Sequence, residues 1–140
     1  MILLDTDHIN VLQSMGAQVA VLRANMAASA DQDFATTAIT IEEQMRGWLA
    51  LIHRLSDVDL QIPAYERLVG LFDFFARWPI ASFDEAAAGE FKRLRQQRIR
   101  IGTMDLKIAS IALAKGVLLL SANLRDFEQV PSLRVENWLV

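Results

Sequence analysis

Acidic side chains gather where short apolar runs give way to helix-like patterns. Asp5 and Asp7 follow Ile2-Leu3-Leu4, Glu42 and Glu43 follow the run ending at Thr37, Asp105 stands in the first turn of an otherwise apolar helix, and Asp126 follows Val117–Leu120. If these junctions share one sheet edge, the carboxylates crowd. Two carboxylates about 4 Å apart repel by roughly 4 kcal/mol at an effective dielectric near 20, a cost that a bound cation removes. Mg²⁺ and Mn²⁺ suit an all-oxygen set, and Mg²⁺ commonly keeps several waters with only one or two protein carboxylates. The chain has no cysteine and only His8 and His53, without metal-ligand spacing, which argues against zinc.

Each acid also has an ordinary structural use. Asp5 or Thr6 can cap the helix that follows. Thr40 and Glu43 match the Thr-x-x-Glu capping box, and Glu42 projects about 100° away from Glu43 around a helix, so only one of the two faces a given site. Thr103 can cap the helix carrying Asp105, whose carboxylate then gains about 0.3–1 kcal/mol from the helix dipole. Asp126 reads equally as a loop residue, a cap or a further ligand. Repetition favours chemistry, because independent caps have no reason to converge. Thr6 and Ser121 fit hydrogen-bond donors to the carboxylates better than nucleophiles, since neither has a recognisable histidine partner.

The elements that must position these residues alternate between strand and helix, the pattern of an α/β domain with a mainly parallel sheet. Strands are expected at Ile2–Leu4, Phe34–Thr37, Ile80–Phe83, Val117–Leu120 and Arg134–Glu136, several of them continuous apolar runs as in strands buried on both faces. Helices are expected near Ile9–Ser14, Val19–Ala28, Ile41–Leu55, Ala64–Arg77, Glu85–Gln97 and Met104–Lys115. In the last, Leu106, Ala109 and Leu113 share one face and Met104, Ile108 and Ile111 another, so the helix is expected to be buried on both flanks. Trp48, Trp78 and Trp138 read as core or interface anchors rather than a base-stacking platform, because none lies in an aromatic-basic alternation.

At 140 residues the chain is expected to form one domain spanning residues 1–140. Its 53% hydrophobic content and mean hydropathy of +0.24 suggest apolar surface covered by a partner, here a homodimer. No segment reads as a secretion signal, and no apolar run approaches the roughly 20 residues of a membrane span, so a cytoplasmic protein without membrane attachment is expected. A net charge of −3 gives no global attraction to nucleic acid. A local one is available in Lys92, Arg93, Arg95, Arg98 and Arg100, which read as phosphate contacts beside an acidic site or else as a solvated helix face.

Taken in order, "LLDTD", "ITIEEQMRG", "IGTMDLKIASIALAKG" and "LLSANLRDFEQVPSLRVENW" resemble the PIN-domain ribonucleases of the VapC toxin type over nearly the whole chain. The resemblance implies a PIN-like three-layer α/β/α sandwich around a mainly parallel five-stranded sheet. It also implies hydrolysis of RNA phosphodiester bonds with Mg²⁺ or Mn²⁺ and control by a cognate antitoxin protein. On this resemblance Asp5 and Asp105 fall on metal-ligand positions, and Thr40, Glu43 and Gly47 fall on the family's Thr, Glu and Gly pattern. Asn123 stands where the family often has Asp, with Asp126 nearby to supply negative charge, and Asp7 stands where Asn is common. The expected catalytic set is therefore Asp5, Glu43, Asp105, Asn123 and Asp126. Two other readings remain: a haloacid-dehalogenase-like phosphatase with Asp5 as nucleophile and Asp7 as general acid, and a noncatalytic PIN-like RNA- or protein-binding module.

Overall fold

Three short, largely buried stretches form the centre of the sheet: Ile2–Leu4 (β1) lies between Phe34–Thr37 (β2) and Leu118–Leu120 (β4). Ile80–Ala81 (β3) and Val135–Glu136 (β5) complete a five-stranded sheet in the order β3-β2-β1-β4-β5, with every pairing parallel. The computed structural model describes residues Met1–Val140.

Alternation along the central strands feeds two separate cores. Leu3, Ala35 and Leu119 point to one face, where they meet Ala87 and Leu94 of Glu85–Gln96 (α5), the buried side of Thr103–Lys115 (α6), and Phe127 of Leu124–Phe127 (α7). Ile2, Leu4 and Leu120 point to the other, against Ile9 of Thr6–Leu12 (α1) and Leu71 and Phe75 of Val58–Phe75 (α4). Ile41, Met45 and Trp48 of Ala38–Arg54 (α3) close that side. Ala17–Ala28 (α2) buries only Leu22. The result is the expected α/β/α sandwich, and no helix is long and apolar enough to cross a membrane.

Helix α6 is buried on both flanks as the sequence predicts, with Leu106, Ile108, Ala109, Ser110, Ile111 and Ala112 inside, and it ends at Gly116 in the left-handed conformation (φ 65°) that favours glycine. Boundaries differ elsewhere for identifiable reasons. Helix α1 starts at Thr6 rather than Ile9 because Asp5 itself is the N-cap, accepting from Thr6 N–H. Helix α4 starts at Val58, capped by Asp57, and runs through Pro63 instead of beginning at Ala64. β3 stops at Ala81, and Phe83 is apolar for another reason: its ring packs edge-on to Phe91. The four-residue α7 has no counterpart in the sequence reading.

Candidate active site

Strand order reverses between β1 and β4, and in open parallel sheets the crevice beyond the carboxyl ends at such a point is where ligands bind. Asp5 leaves β1 and Ser121 leaves β4 at this crevice. Ser121 Oγ donates to Asp5 Oδ2 at 2.8 Å. Asp5 is nearly buried, and Thr6 N–H reaches its other oxygen at 2.7 Å. Thr6 Oγ1 in turn lies 3.2 Å from Glu43 Oε1 and 3.2 Å from Thr40 Oγ1, tying the start of α1 to α3.

The first turn of α6 brings Asp105 to the same place. One oxygen each from Asp5, Glu43 and Asp105 lie within 4.8 Å of one another. Asn123 Nδ2 donates to Asp105 Oδ2 at 3.2 Å and to Asp126 Oδ2 at 3.0 Å, so Asp126 joins through the amide. Glu42 lies outside, paired with Arg46 at 2.6 Å, as its angular offset from Glu43 predicts.

Electrostatics follow from the crowding. Burial, then the Asp7 carboxylate, push Asp5 from 3.8 up to about 7 against the opposing hydrogen bonds of Ser121 and Thr6, with Asp105 adding to the rise. Asp105 is raised by burial and by Asp126, and Glu43 by burial and by Asp105. No lysine or arginine forms an ion pair with any of the three.

Two sequence expectations are corrected, the Thr40–Glu43 capping box and the Thr103 cap. Thr40 and Glu43 do not form a capping box: Thr37 caps α3, accepting from Thr40 N–H at 3.1 Å, and Thr40 is buried against Thr6. Thr103 does not cap α6, whose N-cap is Gly102 without a side-chain bond. Asp7 does add a carboxylate beside Asp5, and its oxygens are engaged. Its Oδ1 meets His8 Nδ1 at 2.6 Å and its Oδ2 accepts from Ala122 N–H at 2.8 Å. Burial alone would raise Asp7, but the hydrogen bonds from His8 and Ala122 outweigh it and hold the carboxyl below its ordinary value.

His8 went unrecognised in the sequence. It is fully buried, and its Nε2 accepts from the backbone N–H of Trp138 at 3.2 Å, so Nδ1 carries the proton and donates to Asp7. No local pattern signals this, because Trp138 is 130 positions away. The basic residues Lys92, Arg93, Arg95, Arg98 and Arg100 are exposed on the end of α5 and the loop that leads into α6. Arg93 is paired with Glu90 on its own helix, and Arg95 lies 5.5 Å from the Phe91 ring.

Among solved structures, a chain of the DNA-bound VapBC complex from Salmonella typhimurium superposes with a TM-score of 0.71 at 23% identity, covering 98% of this chain and 97% of that one. A chain of VapBC-1 from nontypeable Haemophilus influenzae gives 0.70 at 22% identity over 100% of both. The chain has the PIN-like α/β/α fold of these VapBC chains. In sequence, Ribonuclease VapC2 of Haemophilus influenzae is 37% identical over 48% of this chain and 54% of its own length. The tRNA(fMet)-specific endonuclease VapC of Salmonella typhimurium is 33% identical over 46% of this chain and 52% of its own. The chain thus spans about half the length of the curated relatives it matches. No family model matches it.

Within this fold the acidic site suits a divalent cation. Its donors are all oxygens, three converging carboxylates lack a cationic partner, and burial makes their mutual repulsion costly.

Proposed function

We propose that this protein is a metal-dependent ribonuclease that hydrolyses RNA phosphodiester bonds. On this reading it is the toxin of a toxin-antitoxin pair, acting in the cytoplasm and held in check by a cognate antitoxin. The observation that carries the reading is the convergence of Asp5, Glu43 and Asp105 oxygens within 4.8 Å at the sheet's carboxyl edge.

Asp5 and Asp105, with Glu43, would hold Mg²⁺ or Mn²⁺. Such an ion supplies a bound water of lowered pKa and neutralises charge on the phosphate. The chain's own groups prepare the site. Ser121 and Thr6 N–H fix both Asp5 oxygens, Thr6 Oγ1 orients Glu43, and Asn123 fixes Asp105. Glu43, half-buried and held by Thr6 Oγ1, would be placed to take a proton from the attacking water. Arg98 and Arg100, on the loop leading into α6, offset the repulsion between RNA and the acids by contacting phosphates.

The phosphatase reading needs Asp7 as a free general acid. Its oxygens are instead engaged by His8, Ala122 and Ser121, and its carboxyl is shifted towards the ionised form. A noncatalytic reading would treat Asn123, standing where the family often has Asp, as a loss of function, but this amide hydrogen-bonds both Asp105 and Asp126.

For the homodimer, this reading uses α4. Val58, Ile62, Tyr65, Val69 and Phe72 are exposed and recur every three or four residues, the spacing of a helix-packing seam.

Purified protein incubated with structured RNAs in Mn²⁺ or Mg²⁺ tests the reading. Cleavage that stops in EDTA and returns with added metal supports it. Well-folded protein that cuts no RNA under either metal overturns it.

A further inference from the structure

A groove leads away from the carboxylates. Thr6 and Glu43 also line a cavity of about 400 Å³ that passes Asn10, Gln13, Gln44 and Gly47 to reach Trp48 and Arg54. Its size falls within the about 300–1,000 Å³ usual for ligand pockets. A neighbouring hollow of about 270 Å³ shares Gln13 and Trp48 and extends to Arg67, whose guanidinium lies 5.9 Å from the Trp48 ring centre.

The groove floor is made of uncharged amides. Gln44, only 8% exposed, and Gln13 exchange hydrogen bonds of 2.9 Å in both directions. The second hydrogen of Gln44 Nε2 goes to Asn10 Oδ1 at 2.7 Å. The Gln44 donors are thereby used up and its orientation fixed, while exposed Gln13 retains one amide hydrogen and exposed Asn10 retains two. The groove presents spare donors and acceptors side by side on a fixed base.

Gly47 keeps this channel open. Mid-helix glycine is less favourable than alanine, and a Cβ at Gly47 would meet no atom within 4 Å. Packing therefore does not require glycine there, whereas a long side chain would fill the groove.

Charge changes along its length, from carboxylates through neutral amides to a tryptophan with Arg54 and Arg67, neither of which is in a salt bridge. A basic peptide suits the acidic end and is repelled at the other. A nucleotide chain matches each part: base edges meet amides, base faces stack on aromatic rings, and phosphates meet arginine.

We propose that this groove binds the nucleotide beside the scissile phosphate of a single-stranded RNA, with Asn10 and Gln13 reading the base edge, Trp48 stacking on the base and Arg54 meeting the next phosphate. The proposal rests on the nuclease reading and names its substrate-selecting residues. It also reassigns Trp48 from a plain core anchor to a residue with one side in the core and one in the groove.

The test titrates ten-nucleotide homopolymeric RNAs of each base into the full chain in EDTA, where cleavage is silent. Affinity is read by anisotropy and stacking by tryptophan quenching. Quenching is expected in the parent and lost in Trp48→Phe, although Trp78 and Trp138 remain. Gln13→Ala and Gly47→Leu should each weaken binding at least about tenfold, and Gln13→Ala should flatten the preference among bases. Thermal unfolding checks that each variant is folded, and exposed Gln13 guards against a failure of Gly47→Leu.

Binding without quenching, quenching that survives Trp48→Phe, affinities unchanged in folded Gln13→Ala and Gly47→Leu, or no binding of any RNA overturns the groove assignment. Cleavage by the parent in Mn²⁺ is scored separately. A protein that cuts RNA with an indifferent groove keeps the nuclease reading alone, and one that binds through the groove but never cuts keeps the groove alone.

Discussion

The side-chain amide of Asn123 bridges two carboxylates, donating to Asp105 at 3.2 Å and to Asp126 at 3.0 Å. It stands where two negative groups would otherwise face each other, and Asp126 already raises the Asp105 carboxyl. Asn123→Asp replaces both donors with a third charge. The expected result is a loss of about 2 kcal/mol in the metal-free protein by urea unfolding, with Mn²⁺ restoring more stability to the variant than to the parent. Equal stability in EDTA would mean that the bridge contributes nothing.

Stability of the metal-free protein should fall as pH rises from about 4 to about 7. Asp5 ionises near 3.8 when unfolded and near 7 in the native site, so within this window the native state holds a proton that the unfolded chain has lost. At about 1.4 kcal/mol per pH unit, Asp5 contributes at most roughly 4 kcal/mol to this decline. Glu43 and Asp105 act in the same direction. Asp7, whose carboxyl is lowered from 3.8, adds stability as pH rises only up to about that unfolded value, so across this window its contribution is constant and leaves the slope to the other three. Asp5→Asn retains an N-cap and should flatten the slope, making the metal-free variant more stable than the parent at pH 8. Urea unfolding across pH 4–8 would show this.

His8 should prove a structural support for Asp7. His8→Ala removes a fully buried ring, its bond to Asp7 and its acceptance of the Trp138 N–H. The expected cost is about 2–4 kcal/mol in urea unfolding, and His8→Phe should recover packing without recovering the Asp7 bond. A His8→Ala variant as stable as the parent would contradict this role.

Where signals are local, the sequence was a good guide. β1 and β4 are short apolar runs and β2 pairs Phe34 and Ala35 with two buried threonines, and all three lie within a residue of their expected bounds. The convergence of Asp5, Glu43 and Asp105 was legible because Asp5 follows β1 directly, while Glu43 and Asp105 lie in the first two turns of helices that start at the same sheet edge. Thr40 was misread because Thr-x-x-Glu matches a cap locally, whereas Thr37, one turn earlier, does the capping and leaves Thr40 for Thr6. The amide set was invisible because Gln13 and Gln44 meet across 31 residues, and nothing in either segment announces the pairing. The outward-facing apolar stripe of α4 was hidden because its start lay beyond Pro63, where the expected helix had not yet begun.

The most direct test of the central claim is a calorimetric Mn²⁺ titration of the parent, Asp5→Asn and Asp105→Asn, with RNA cleavage measured on the same samples. Saturable Mn²⁺ binding by the parent, weakened at least about tenfold in both folded variants together with loss of cleavage, is the predicted result. Variants that bind Mn²⁺ and cut RNA as the parent does would show that Asp5 and Asp105 do not form the active site.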